Sequence, residues 1–161
     1  MNIKTQHGFM LVIVLNLTLL SACNRATPAQ APLLAASDAP PVPNPDARKI
    51  GQGELLYNQH CASCHGQQGE GQPDWKTPNE DGSYPAPPHD NSGHTWHHSD
   101  GLLVDLIANG VEGFKQSQMP TFGEQLSDEE IRAIVEYMKT WWGTEERSFQ
   151  WQMTWREQQG P

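Results

Sequence analysis

The feature that most constrains this chain is the pentapeptide Cys61-Ala-Ser-Cys64-His65. Cys-x-x-Cys-His is the attachment pattern of c-type haem. Two thiols at this spacing can each add to one vinyl group of the same porphyrin, and the histidine that follows then lies under the iron. The pattern therefore predicts one covalently bound haem c, held by Cys61 and Cys64, with His65 as an axial iron ligand.

The two cysteines of this motif would also suit a redox-active disulfide or half of a zinc site. The chain contains only 3 Cys, so no second pair can complete a Cys₄ zinc site. The sequence also lacks the βαβ pattern that thioredoxin-like redox motifs require. Haem attachment remains the interpretation that accounts for both residues.

The chain is acidic, and its charge restricts the class of partner. The formal net charge of the 161 residues is −9, and the N-terminal leader contributes Lys4 but no acidic residue. The mature protein is therefore more negative still, which argues against nucleic acid as a partner. We expect a docking protein to present a basic or largely neutral face. The length allows one domain of ordinary size.

Residues 1–22 have the pattern of an export leader, because Lys4 precedes an apolar run that is too short to span a bilayer. The following sequence, Leu20-Ser21-Ala22-Cys23, resembles the lipobox of bacterial lipoproteins. That resemblance implies that Cys23 becomes the first mature residue and carries lipids. Asn24 is not the aspartate associated with inner-membrane retention, so outer-membrane anchoring is favoured. The alternative is an ordinary export leader with a cysteine nearby.

Residues 23–44 are rich in alanine and proline, and such a segment cannot bury enough apolar surface to fold alone. We interpret it as an extended tether, the alternative being a loop wrapped on the domain. The folded domain is predicted at residues 45–143, starting with a helix that Asn44 caps and Pro45 opens. This helix runs towards His60.

Within this first helix the resemblance to class I cytochromes c becomes specific. In that family a small residue eight positions before the first haem cysteine, and an aromatic residue four before it, form a crossing with the C-terminal helix. Gly53 and Tyr57 occupy these positions, and the resemblance implies Ile134 and Tyr137 as their partners. It covers about residues 45–143 and implies an all-α fold, with three or four helices around one haem.

The segment after the haem motif, residues 66–88, is polar and rich in glycine and proline, which predicts a loop. In class I cytochromes c this region wraps the histidine side of the haem, and a proline carbonyl accepts a hydrogen bond from the proximal histidine. The sequence leaves three candidates for that proline, namely Pro85, Pro87 and Pro88.

A histidine-rich stretch follows at residues 89–98. Its residues His94, His97 and His98 could bind copper or zinc, or one of them could compete for the haem iron. The alternative is a polar loop whose histidines only cap or form hydrogen bonds, and no cysteine or acidic partner at a fixed spacing supports a preformed metal site. A docking role for Trp96 is a further possibility. Ser99 and Gly110 then bound a short helix.

Met119 is the predicted second axial ligand. Of the mature methionines, it alone lies in a loop and precedes a proline, which is the Met-Pro pattern of class I cytochromes c. The alternative is that Met119 fills the core, as isolated methionines commonly do. Met138, by contrast, belongs to the apolar stripe of the last main helix, which Ser127 and Glu130 open with a capping box.

The last main helix is predicted to end at Gly143. Beyond it, residues 144–161 form a tryptophan-rich C-terminal extension in which Phe149, Trp151, Met153 and Trp155 alternate with polar residues. This alternation predicts an extended segment that packs back over the domain. Trp151 and Trp155 alone would also share one face of a short helix, and contact with a partner or membrane is the other alternative.

Ligation by histidine and methionine implies an electron carrier and not an enzyme, because two protein ligands leave no open iron position for a substrate. The prediction is a membrane-tethered shuttle facing the periplasm, between a donor dehydrogenase or complex and an acceptor oxidase or reductase. The alternatives are a haem enzyme or sensor with a labile sixth ligand, and a metal-binding module built on the histidine-rich stretch.

Overall fold

A computed structural model describes residues 39–110 and 117–160 of the protein. The predicted leader, the predicted lipidation site Cys23 and most of the predicted tether lie outside these residues. Five α-helices and two 3₁₀ turns occur in the described part: α1 Ala47–His60, α2 Ala62–His65, a turn at Thr95–His97, α3 Asp100–Asn109, α4 Asp128–Met138, a turn at Lys139–Trp141, and α5 Thr144–Gln159.

No strand occurs in the described ranges, and the all-α prediction is confirmed. Residues 66–94 connect α2 to the first 3₁₀ turn without regular structure, in agreement with the predicted loop. Across residues 39–110 and 117–160, the helices are too short or too polar to cross a membrane.

Helix α1 begins two residues later than the sequence indicated. Its N-cap is Asp46, whose carboxylate accepts a hydrogen bond of 2.9 Å from the backbone N–H of Arg48. The predicted cap, Asn44, and the predicted first helical residue, Pro45, both precede the helix, so that prediction was wrong. An ionised carboxylate at the positive end of a helix is a stronger acceptor than an amide, which favours Asp46 as the cap.

Helices α1 and α4 cross with their backbones in direct contact at Gly53. A Cβ atom at this position would overlap the carbonyl oxygen of Ala133 and would lie 2.9 Å from the Cβ of Tyr137. One turn later, the fully buried Tyr57 packs its ring 5.7 Å from that of Tyr137 and 5.0 Å from that of Trp141. Only glycine permits this approach, because any side chain at residue 53 would push the two helices apart.

Helices α3 and α4 supply most of the apolar core. Ser99 caps α3 by accepting from the Leu102 N–H, and the helix stops at Gly110, whose φ of +81° suits glycine. The capping box of α4 is present as predicted, with Ser127 and Glu130 bonded to each other. The buried apolar side chains of the core are Tyr57, Leu103, Val104, Ile107, Phe122, Leu126, Ile131, Ile134, Val135, Met138 and Trp142.

Helix α4 ends at Met138, and the chain tightens into the second 3₁₀ turn. Gly143 does not end this helix, as the sequence had indicated, but is the N-cap of α5. The physical reason lies at Trp142, which is buried with an extended backbone and donates its indole N–H to the His89 carbonyl at 2.7 Å. A continuous helix would carry the indole away from that acceptor.

The C-terminal extension is helical, so the prediction of an extended segment was wrong. The alternation of large apolar residues does not mark the buried face, because the buried members of α5 are two polar residues, Gln150 and Thr154. These lie four positions apart and therefore share one helix face. An extended segment would leave its backbone groups without a neighbouring strand, whereas a helix pairs them internally.

Helix α5 packs back on the domain through polar side chains. Gln150 donates from its amide nitrogen to Asp100 Oδ1 at 2.7 Å, and Thr154 accepts from the Asp100 N–H at 3.0 Å. The Glu157 carboxylate accepts from the Ser99 hydroxyl at 2.7 Å and from the Gly101 N–H at 3.1 Å. We call this set of contacts at the start of α3 the α3–α5 polar seam.

The other face of α5 holds the last residues of the predicted tether. The indole N–H of Trp151 donates to the Pro40 carbonyl at 2.6 Å, and Arg147 donates to the Pro43 carbonyl at 3.2 Å. The described end of the Ala/Pro-rich segment, residues 39–44, therefore lies against α5.

Candidate functional site

Cys61 and Cys64 lie where α1 passes into α2. Cys61 is the C-cap of α1, and its N–H bonds to the Tyr57 carbonyl at 2.8 Å. Both cysteines are free thiols, with Cys61 half-buried and Cys64 exposed. Burial, with a smaller contribution from Cys64, raises the pKa of the Cys61 thiol to about 11. A raised pKa is the opposite of what a reactive redox cysteine needs, so Cys61 does not have the character of a redox-active thiol.

His65, the last residue of α2, is buried and held by a proline carbonyl. Its Nδ1 lies 2.8 Å from the oxygen of Pro87, and the side chain is 7% exposed. Of the three prolines that the sequence left open, Pro87 makes this contact. Because a carbonyl can only accept, Nδ1 carries the proton and Nε2 keeps its lone pair. Burial lowers the pKa of His65, which favours the neutral imidazole that metals bind.

Two glycines let the proline segment reach α2. A Cβ at Gly71, whose φ is +70°, would lie 2.5 Å from the Pro88 nitrogen, and a Cβ at Gly93 would overlap the Pro88 carbonyl oxygen. Gly71 also donates its N–H to the His65 carbonyl at 2.7 Å. The loop therefore closes tightly around Pro88, which is fully buried, and this brings Pro87 to His65.

The ring of His89 lies against the ring of His65, a contact that the sequence did not indicate. The two imidazole rings stack with centroids 4.1 Å apart and planes inclined by 24°. His89 Nδ1 lies 2.8 Å from the Thr95 hydroxyl. Burial lowers the pKa of His89 well below its ordinary value. The available signal was its position, directly after the Pro87-Pro88 pair and two residues from the carbonyl that holds His65.

The loop that carries Met119 is bound to the end of α3. Met119 is half-buried against the core, and its N–H donates to the Ser117 hydroxyl at 3.2 Å. Just beyond it, the Phe122 N–H donates to the Ile107 carbonyl at 3.0 Å and the Gly123 N–H to the Ala108 carbonyl at 2.9 Å. These bonds set the position at which residues 117–120 meet the core.

The structure does not assemble a second metal site from the histidine-rich stretch. The ring of His94 lies 6.5 Å from that of His97 and 5.5 Å from that of His98, and it stacks on Trp75 at 5.8 Å. In the part of the chain that the structure describes, no group of three or more histidine, cysteine or acidic residues could hold a metal ion. The aromatic contacts instead make these histidines part of a surface cluster.

The residues around the motif fit a haem. Two thiols and an imidazole with a free Nε2 lie in one turn, and the soft thioether of Met119 packs against the same core. The indole N–H of Trp96 is the buried side-chain polar group without a hydrogen-bond partner among the described residues. Trp96 packs against that core as well.

Comparison with known proteins agrees with this chemistry. The family model described as cytochrome c oxidase, cbb3-type, subunit III matches residues 48–138, which is more than half of the chain. The cbb3-type cytochrome c oxidase subunit CcoP of Azospirillum sp. (strain B510) is 29% identical over 93 residues. The match covers 58% of this chain but only 29% of that relative. On the family match, the chain belongs to the subunit III family of cbb3-type cytochrome c oxidases, as an electron-transfer cytochrome c that carries haem c covalently.

Proposed function

We propose that the protein is a one-electron carrier in which Cys61 and Cys64 hold the haem, and His65 and Met119 are its axial ligands. The observation that carries this proposal is the 2.8 Å contact between His65 Nδ1 and the Pro87 carbonyl. That bond orients the imidazole and raises the basicity of Nε2, which suits a permanent iron ligand. Bound haem supplies an iron that exchanges one electron with a partner.

The choice of Met119 determines the kind of carrier. A thioether accepts electron density and favours ferrous iron, so its ligation gives a comparatively high potential. With His65 on the opposite side, both axial positions are filled by protein side chains. No position then remains for oxygen, peroxide or another substrate, and the protein is a carrier and not an enzyme.

We further propose that the protein is a lipoprotein, anchored through Cys23 and facing the periplasm, with the outer membrane favoured over the inner. It would receive electrons from a dehydrogenase or a respiratory complex and pass them to an oxidase or reductase. The name of the CcoP relative supports an oxidase as the acceptor. The net charge of −9 favours partners whose docking faces are basic or neutral.

The ligand assignment is tested by the substitution Met119→Ala in the haem-loaded protein. We expect the ferric spectrum to lose the methionine-to-iron charge-transfer band and to become high-spin or ligand-exchanged. The matched control is Met138→Leu, because Met138 lies in the core of α4 and should leave the band unchanged. A band that survives in Met119→Ala would falsify the assignment of this ligand.

Two further measurements test the carrier function and the anchor. Cyanide or peroxide at modest concentration should leave the wild-type ferric spectrum unchanged, and rapid binding would instead indicate an enzyme or sensor with a labile sixth ligand.

The substitution Cys23→Ala should release the protein from membranes after export. Equal membrane retention in wild type and variant would contradict lipid anchoring at Cys23.

A further inference from the structure

His89 is in contact with the face of the His65 ring. The two rings are nearly parallel, with centroids 4.1 Å apart, so neither ring can tilt without moving the other. The Pro87 carbonyl holds His65 through a single atom, Nδ1. A single hydrogen bond fixes one corner of the imidazole but leaves its plane free to tilt, since the terminal torsion of histidine has a broad minimum.

His89 is itself held rigidly by hydrogen bonds on both sides of its backbone and at its ring. Its N–H donates to the Gly69 carbonyl at 2.7 Å, and its carbonyl accepts the Trp142 indole N–H at 2.7 Å. At the ring, Nδ1 bonds with the Thr95 hydroxyl at 2.8 Å. The orientation of the His89 ring is therefore set by three parts of the chain: the loop at Gly69, the 3₁₀ turn at Thr95 and the connection between α4 and α5 at Trp142.

Gly69 and Tyr57 both lie close to His89. A Cβ at Gly69, whose φ is +70°, would lie 2.7 Å from the ring of Trp141 and 3.3 Å from the Cβ of His89. The ring of Tyr57 meets that of His89 edge-on at a centroid distance of 6.4 Å. The His89 imidazole therefore has little room to move, and the His65 ring stacks on it.

We propose that His89 is a positioning residue that sets the plane of the His65 imidazole. This inference rests on the proposed function, in which His65 is an axial ligand. The direction of an axial imidazole plane determines how unevenly the unpaired electron of ferric haem is spread over the porphyrin. Residues that orient a ligand in this way tune a metal centre without touching it. Replacing the His89 ring should change the distribution of the unpaired electron over the haem, while both axial ligands stay in place.

The test uses the haem-loaded protein and the variants His89→Leu and His89→Phe. Leucine removes the flat ring, so we expect changed proton NMR shifts of the four haem methyl groups and changed g-value anisotropy in electron paramagnetic resonance. Phenylalanine keeps a flat ring and should remain closer to wild type in both. The control His94→Leu alters an exposed histidine of the same stretch and should leave the methyl shifts unchanged.

The outcomes separate the inference from the proposed function. If wild type and His89→Leu both keep the methionine-to-iron band but have the same methyl shifts and g values, the positioning role is wrong while the ligand assignment stands. If wild type lacks the band, the ligand assignment itself fails. If His89→Leu does not mature with haem, the test uses Thr95→Val, which removes the hydrogen bond between the Thr95 hydroxyl and the His89 ring. Unchanged methyl shifts in Thr95→Val would overturn the proposal. A drop in thermal stability alone does not support it.

Discussion

The α1–α4 crossing and the α3–α5 polar seam hold helices together by opposite means. At the crossing, the missing side chain of Gly53 allows backbone to touch backbone, and the flanking side chains are apolar or aromatic. At the seam, Gln150 is 2% exposed, yet its contacts are hydrogen bonds to the start of α3. The first contact depends on shape and the second on polar pairing, so the two should respond differently to small substitutions.

The largest effect is expected at the crossing. Gly53→Ala adds one methyl group against the Ala133 carbonyl, and overpacking of this kind costs about 3 kcal/mol of unfolding free energy. The matched control is Gly51→Ala on the same helix, where a Cβ meets nothing within 4 Å. That control should stabilise the protein by about 0.5–1 kcal/mol through helix propensity. Denaturant unfolding measures both, and equal effects would contradict the role of shape at the crossing.

The next largest effect is expected at the seam. Gln150→Ala leaves Asp100 Oδ1 and the His98 carbonyl without their Gln150 donor and should cost about 2 kcal/mol. Gln158→Ala, on the exposed end of α5, should change the unfolding free energy by less than about 0.5 kcal/mol. Thermal and denaturant unfolding should agree on this order. If the two variants are equally stable, the seam does not hold α5 to the domain.

A smaller effect is expected where α5 meets the predicted tether. Trp151→Phe removes the indole donor to the Pro40 carbonyl and should cost about 0.5–1 kcal/mol. Denaturant unfolding measures this cost. Trp155→Phe, one turn further along, serves as the control. Equal unfolding free energies in all three proteins would mean that Trp151 does not hold this segment.

The smallest effect is expected at the exposed capping box that opens α4. Hydrogen bonds from the backbone and hydroxyl of Ser127 lower the pKa of Glu130 from its ordinary value of 4.5. Because the folded pKa lies below the unfolded one, this contribution is present above pH 4.5 and is lost as the pH falls through the folded pKa. The stability difference between wild type and Glu130→Gln should therefore shrink in acid. A difference that is constant between pH 7 and pH 3 would contradict this.

The sequence predicted the elements whose signals are local. The haem motif and the caps at Ser99 and Ser127 depend on residues within a few positions of each other, whereas the glycine of the crossing was implied by the resemblance to class I cytochromes c. The same local reasoning failed at the start of α1, where Asp46 and Asn44 both had the chemistry of a cap. It failed again at α5, because the periodicity of apolar residues does not reveal a helix whose buried face is polar.

The sequence by itself indicated the cofactor and the ligand His65 through residue types at a fixed short spacing, and the resemblance to class I cytochromes c implied the all-α fold and Met119 as the other candidate ligand. Only the tertiary structure selected Pro87 from three prolines, stacked His89 on His65 and made α5 a helix. Each of these depends on contacts between residues far apart in the chain, 22 positions for Pro87 and His65 and 50 for Gln150 and Asp100. Such contacts form only when the packing energy offsets the entropic cost of closing the loop between the two residues, and a local sequence pattern does not contain that information.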